Sequence, residues 1–555
     1  MARRTRLALA AENTEGIVDG TFDFIIIGAG SAGGVLANRL SADPATHVLL
    51  IEAGGSGRGF THDIPAGSLL MLGNPKYDWI YPMEPDPSSN GRAVQWAGGK
   101  ALGGSSAING MVYVRGTRHD YDDWAAGGCP GWGFNDVLPY FRKMETFAGP
   151  PSQFRGSHGP LSVSPPREMH PASHVFLAAA AELGLPLRED YADGDQYGAF
   201  ACQGTLDRGL RCSVRRAYID AAEKRPNVAI LTETTADSIL FDGRRAVGVQ
   251  VTRKGRKEVY RTRGEVLICC GSLQSPTLLM RSGIGPAEDL RAAGVPLIHD
   301  LPGVGRNLQE HVGVVVARGL NIPTYNTQVG PLHMAAHLAR FLLFRRGALT
   351  SLAVQALAYF KSAPDLAEPD FMCNFFPLAV DFNAKPPKLS DRPGVAIGVN
   401  LCKPKGRGRI RLRDASPESK PVIDHRLLGD EDDVRRLVLG MKTAEKLFDS
   451  ASFAPYLAGR MGPPEAIDTD AGWIDYLKAN CAVGYHGVGT CRMGRGPDAV
   501  VDPSLRVYGV DGLRVIDASI MPRITSGNTN APTIMIGERA SDLILKDRNA
   551  SPGIP

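Results

Sequence analysis

Phe22-Asp23-Phe24-Ile25-Ile26-Ile27-Gly28-Ala29-Gly30-Ser31-Ala32-Gly33 decides the fold of this chain. Residues 22–27 read as a buried strand, residues 31–40 as a helix opening from the glycine turn, and residues 47–51 as a second strand. That order implies parallel pairing with a right-handed crossover. In the Gly28-x-Gly30-x-x-Gly33 spacing the first glycine permits the tight turn and the second lets backbone approach a pyrophosphate. The third allows close helix–strand packing, and the helix N-terminus, at Ser31 and Ala32, faces the phosphates. Glu52 closes the second strand where an acid can hydrogen-bond a ribose hydroxyl, and its charge would repel the extra phosphate of NADP. The motif predicts a bound dinucleotide without choosing between NAD and FAD.

Working outward, 555 residues is more than one ordinary core and predicts several structural units. With 43% hydrophobic and 22% charged residues the chain is of ordinary globular composition. Its net charge of +4 commits it to neither nucleic acid nor an anionic membrane, and no apolar run approaches the ~20 residues of a membrane span. Nine cysteines, an odd number, read as reduced thiols rather than a disulfide framework. Arg3, Arg4 and Arg6 are followed only by the short apolar run 7–11, too brief for an export signal, so a cytoplasmic location without stable membrane insertion is expected.

The middle of the chain, about 320–475, differs in character from its two ends. Phe371, Phe375, Phe376 and Phe382 read either as core or as the lining of an apolar substrate pocket. The alternation Arg409-Ile410-Arg411-Leu412-Arg413 reads as a half-solvated strand rather than an anion site. His333–Phe344, followed by Arg345-Arg346, reads as a packed helix in preference to a membrane-docking element, with a lid over the substrate as a further alternative. The spacing of Cys481 and Cys491 with other Cys and His residues gives no metal-ligand pattern, so no metal is expected.

Three further segments carry a resemblance. The run 98–110, Gly-Gly-Lys-Ala-Leu-Gly-Gly-Ser-Ser-Ala-Ile-Asn-Gly, resembles the first signature of the glucose–methanol–choline (GMC) oxidoreductases. The run 271–276, Gly-Ser-Leu-Gln-Ser-Pro, continuing to Gly283-Ile284-Gly285-Pro286, resembles the second, and Tyr485-His486-Gly487-Val488-Gly489-Thr490 resembles the catalytic C-terminal segment. The resemblance extends from about Phe22 to Leu545. It implies an α/β architecture in which a Rossmann-like FAD-binding domain (20–150, 215–315 and 480–547) is interrupted by an α+β substrate-binding domain with an antiparallel sheet (151–214 and 316–479).

The resemblance implies FAD as the cofactor, held by Gly28, Gly30, Ser31, Ala32, Gly33, Glu52 and Ala53 of the N-terminal motif. Gly103, Gly104, Ser105, Asn109 and Gly110 of the first signature, with Ala236, Gly271, Asp517, Ala518, Asn528 and Thr529, complete the set. Some family members attach FAD through a histidine just before the signature asparagine. Here that position is Ile108, so non-covalent FAD is expected. Asp517 reads as a ribityl- or phosphate-side contact, with a buried capping aspartate as the alternative.

Oxidising an alcohol removes a proton from oxygen and a hydride from carbon, and the flavin takes the hydride. A histidine, with an unperturbed pKa of about 6.5, suits the proton. Of the twelve histidines, His486 occupies the family's catalytic position. Asn528 falls where the family carries histidine or asparagine; an amide cannot take the proton but can orient the substrate oxygen. Asn530 is a neighbouring alternative, and either asparagine could serve as turn chemistry beside Pro532. Gly484 leaves little bulk near the flavin, a feature that would ease oxygen access.

The function so implied is FAD-dependent oxidation of a primary alcohol, aryl or aliphatic, to the aldehyde, with O2 or a quinone-like acceptor restoring the flavin. The alternative is a flavin-containing lyase of the same family that cleaves cyanohydrins without redox change.

Overall fold

A computed structural model describes residues 18–381 and 388–550; Arg3, Arg4, Arg6 and Phe382 lie outside the described residues. The strand Val18–Ile27 leads to the helix Gly33–Leu40 and back to the strand Val48–Ile51, one to two residues shorter at its start than the sequence pattern indicates. Val18–Ile27 pairs in parallel with Val48–Ile51 on one side and with Arg256–Ile268 on the other. Val228–Leu231 extends the sheet beyond Val48–Ile51. Ile25, Ile26, Leu49, Leu50, Val266 and Leu267 are buried, as strands covered on both faces require. The long strand Arg256–Ile268 changes partner along its length. Its first half pairs antiparallel with Arg245–Arg253, and its end pairs in parallel with Leu513–Val515. A strand from near the C-terminus thereby closes the dinucleotide sheet.

The second sheet is antiparallel, in the order Leu457–Gly462, Val312–Leu320, Gly394–Leu401, Phe371–Phe376, Ala356–Phe360 and Gly198–Ala201. Val312–Leu320 runs across the 315/316 boundary read from the sequence and lies in this sheet throughout. The helix Glu431–Phe448 covers one face, its first turn capped by the Asp430 carboxylate accepting from the Asp432 and Asp433 amides. The final helix, Asn530–Ala550, packs on Gly33–Leu40 and is tied to it by the Arg39–Glu538 ion pair at 2.7 Å.

One open alternative is resolved here and one sequence expectation is corrected. Phe371 and Phe375 point into the core of the second sheet, and none of the three described phenylalanines lines the cleft between Gly28 and His486; Phe375 stacks on Phe176 instead. The helix predicted at 333–344 forms, as Pro331–Phe344, yet it is not packed. Only Phe341 is buried, because the helix stands mainly against the short elements at 60–72 and 348–350. The basic strand is Gly408–Arg411, half-exposed with Ile410 turned inward. All nine cysteines are unpaired thiols.

Candidate active site

One cleft of about 410 Å³ joins the glycine turn to His486, within the range of ordinary cofactor sites. Its nucleotide end is built by contact between two glycine loops. A Cβ on Gly104, where φ is +52°, would come within 2.6 Å of the Gly30 Cα, so any side chain there would push the loops apart. Gly103 donates its amide to the Ala29 carbonyl behind the cleft, and Gly33 packs against the Gly28 carbonyl; these two support the cleft without lining it. Gly28, Gly30, Ser31, Ala32, Ala53, Gly104, Ser105, Asn109, Gly110, Ala236, Gly271, Ala518 and Thr529 line it.

Glu52 also lines the cleft, its carboxylate accepting from the Ala29 amide at 3.0 Å and the Gly54 amide at 2.9 Å. Burial raises its pKa to about 7 against those hydrogen bonds. Asp517 both lines the cleft and caps. It accepts from the amides of Gly271 at 2.9 Å and Ser519 at 2.8 Å and from the Ser275 hydroxyl, and burial raises its pKa. Asn109 is fixed by Arg211, a buried arginine that reaches only neutral acceptors, including Asn109 Oδ1 at 3.0 Å. Lacking a carboxylate within reach, Arg211 is pushed down by burial to about 9.

The His486 end of the cleft depends on an irregularity in strand pairing. Gln309 and Val488 exchange backbone hydrogen bonds, and Val312 pairs with Val483. Between those two points one strand advances three residues and the other five. The surplus makes a bulge that turns His486 into the cleft, with Tyr485 held at a φ of 63°. Gly484 is needed there for a reason other than oxygen access: a Cβ on it would sit 2.9 Å from His486 Nδ1.

Asn528 arrives from the opposite side. The preceding Ser526 is anchored through its amide at 2.7 Å and its hydroxyl at 3.0 Å to Asp120, a fully buried carboxylate that also pairs with Lys403 at 2.9 Å. Asn528 Nδ2 then lies 2.9 Å from His486 Nε2. Asn530 is directed elsewhere, accepting from the Ser31 hydroxyl at 2.8 Å, so the geometry separates the two asparagines that the sequence leaves open.

Sequence reasoning missed Glu310 and His311. His311 Nε2 lies 3.0 Å from the Cys402 carbonyl and its Nδ1 lies 3.0 Å from His486 Nδ1. A carbonyl only accepts, so His311 carries its proton on Nε2 and presents a lone pair at Nδ1. His486 must then donate from Nδ1, which leaves Nε2 as an acceptor for the Asn528 amide. One backbone carbonyl thus sets the tautomer of both rings. Burial lowers His311 to about 4, and burial together with His311 holds His486 well below the ordinary histidine range, so both rings are neutral at pH 7. Beneath them Glu310 accepts the His486 amide with both oxygens at 2.9 Å, and burial raises its pKa to about 8. The only trace of this pair in the sequence is two ionisable residues abutting an apolar strand. The aromatic lining was missed too: Trp79, Tyr81, Trp96 and Tyr485 supply it, not the phenylalanines of the middle region.

The comparisons with known proteins agree with this architecture. The GMC oxidoreductase family matches residues 22–313 and, through its C-terminal part, residues 404–537. This chain is a GMC oxidoreductase. It is 39% identical over 526 residues to an oxygen-dependent choline dehydrogenase of Brucella anthropi, covering 94% of this chain and 95% of that one. It is 37% identical over 536 residues to an alcohol dehydrogenase [acceptor] of Pseudomonas putida, covering 95% and 96%. Among solved structures, pyridoxine 4-oxidase from Mesorbium loti superposes with a TM-score of 0.87 at 29% identity over 96% of this chain and 100% of that one. A fungal aryl-alcohol oxidase does so with 0.81 at 25% identity, over 95% and 99%.

The chain is therefore an FAD-dependent oxidoreductase acting on CH–OH groups. The residues present fit that cofactor. The glycine loops leave backbone room for a pyrophosphate, and two buried polar atoms of cleft-lining residues, Trp96 Nε1 and Asn528 Oδ1, have no protein partner. Among the described residues no group of His, Cys, Asp and Glu could hold a metal ion, and no helix is long and apolar enough to cross a membrane.

Proposed function

We propose that this GMC oxidoreductase oxidises a primary alcohol, aryl or aliphatic, to the aldehyde, with His486 as the base and Asn528 as its hydrogen-bonding partner. The observation that carries this reading is His486 Nε2 lying 2.9 Å from the Asn528 amide nitrogen within the cleft, with the lone pair that the His311 contact leaves there. A hydroxyl entering between them accepts from Asn528 Nδ2 and donates to His486 Nε2, which takes the proton as charge develops on oxygen. FAD, when bound, supplies the hydride acceptor. Gly28, Gly30, Glu52, Gly104, Asn109 and Asp517 would hold it, and Ile108, buried in the cleft wall, offers no side chain for covalent attachment. The domain division 20–150, 215–315 and 480–547 against 151–214 and 316–479 belongs to the same proposal, with the strand Val312–Leu320 carried whole into the second unit; one unit would hold FAD and the other the substrate.

The test mixes the yellow protein anaerobically with benzylic, aliphatic and amino alcohols, choline among them because relatives carry that name, then admits air. Bleaching by a primary alcohol supports the reading. Rapid recovery with hydrogen peroxide marks O2 as the acceptor, and slow recovery marks a quinone-like carrier. His486→Ala should retain FAD and lose on the order of 10²–10⁴-fold in turnover. No bleaching with any alcohol, together with cyanohydrin cleavage, would overturn it. Denaturation should release the flavin into the supernatant.

A further inference from the structure

The helix Pro331–Phe344 presents an unpartnered apolar face. Leu332, Ala335, Ala336, Ala339, Leu342 and Leu343 recur at the three-to-four-residue spacing of one helical side, opposite the buried Phe341. Leu332 is 87% exposed, Leu343 74% and Leu342 60%. A second exposed apolar element adjoins it: the Phe60 ring lies against that of Phe341 at 5.9 Å, and Leu69 and Leu70 follow a few residues on, 49% and 66% exposed. A lone helix of this length is marginal in water, so a face of this kind needs cover.

The charges at the end of the helix indicate what covers it. The helix carries no acidic residue and runs out into Arg345 and Arg346. Arg345 stacks over the Phe341 ring at 4.5 Å, and Arg346 pairs with no carboxylate among the described residues. Only Arg340 is neutralised, by Glu168 at 3.0 Å. An apolar face with cations at its rim is the pattern of a helix lying in the headgroup layer of an anionic bilayer. The helix of a second copy would bring no carboxylate to meet these arginines, and the segment 60–72 would bring one, Asp63. Leu72, two residues on from the exposed Leu70, also lines the catalytic cleft, so the apolar face and the cleft mouth adjoin.

We propose that the face formed by Pro331–Phe344 and the segment 60–72 docks this enzyme on an anionic lipid surface, the helix lying in the plane of the headgroups with the catalytic cleft opening beside it. Docking does not depend on the alcohol reading, and an inactive His486→Ala protein would dock equally.

The experiment is co-sedimentation of the flavin-loaded protein with phosphatidylcholine vesicles and with vesicles of three parts phosphatidylcholine to one part phosphatidylglycerol. Wild type should pellet with the anionic vesicles, less so as salt is raised. Leu342→Glu/Leu343→Glu should cut the partition coefficient by roughly tenfold or more through loss of buried apolar surface. Arg345→Gln/Arg346→Gln should cut it by roughly fivefold per arginine. Both variants should keep their flavin and their turnover of a small water-soluble alcohol. Wild type staying in solution with both vesicle types, or the double glutamate variant pelleting as well as wild type, would overturn the proposal. So would a wild-type dimer that this variant converts to monomer, since a second copy would then be the cover.

Discussion

Replacing His311 by alanine removes the acceptor for His486 Nδ1–H at 3.0 Å at a position that does not itself line the cleft. In the resting site two contacts hold the His486 tautomer, His311 on one side and Asn528 at 2.9 Å on the other. When a hydroxyl enters, Asn528 is drawn to it and the His311 bond alone keeps the proton on Nδ1. As His486 takes the substrate proton it becomes an imidazolium, and its Nδ1–H bond becomes charge-assisted. Hydrogen bonds to charged groups contribute about 1.5–3 kcal/mol, which corresponds to roughly tenfold to a hundredfold in kcat. The effect belongs to the transition state, so KM should change little. Stopped-flow flavin reduction under saturating alcohol reads it directly. His311→Gln, whose amide oxygen can accept the same bond, should recover part of the rate. A His311→Ala enzyme within about twofold of wild type in kcat would refute the relay. Loss of flavin or of thermal stability in His311→Gln would assign the residue to folding instead.

Gly484→Ala places a methyl 2.9 Å from His486 Nδ1 and 3.1 Å from the His311 carbonyl, so the ring must move. Turnover should fall by roughly tenfold or more while the flavin stays bound, in anaerobic reduction as well as in air; a change confined to reoxidation by O2 would show that the position governs oxygen access. Glu310→Gln tests the buried acid through stability. Folding raises the Glu310 pKa to about 8, so its contribution is present below its unfolded value near 4.5 and is lost as pH rises to about 8. The melting-temperature advantage of the glutamine variant should therefore grow between about pH 5 and 8, at up to about 1.4 kcal/mol per pH unit, and then level off. Glu52 titrates in the same window but is common to both proteins and cancels. Parallel melting curves across that range would show that Glu310 ionises freely.

The sequence by itself determined the dinucleotide half of this protein. The motif 28–33 and Glu52 are local features, in which spacing along the chain is spacing in space, and strand–turn–helix geometry follows from a dozen residues. His486 and Asn528 were legible only through family resemblance, since a histidine and an amide 42 residues apart carry no local signal of contact. What only the tertiary structure decided is long-range. Which asparagine meets His486 was settled by Asp120 holding Ser526 across 406 residues, and the tautomer of His486 by a carbonyl 91 residues from His311. The phenylalanines of the middle region and the helix at 331–344 show the same limit. Hydrophobic periodicity predicts that a face is apolar but not what lies against it. The antiparallel sheet took Phe371 and Phe375 into its core, and the helix kept all but Phe341 out of the core.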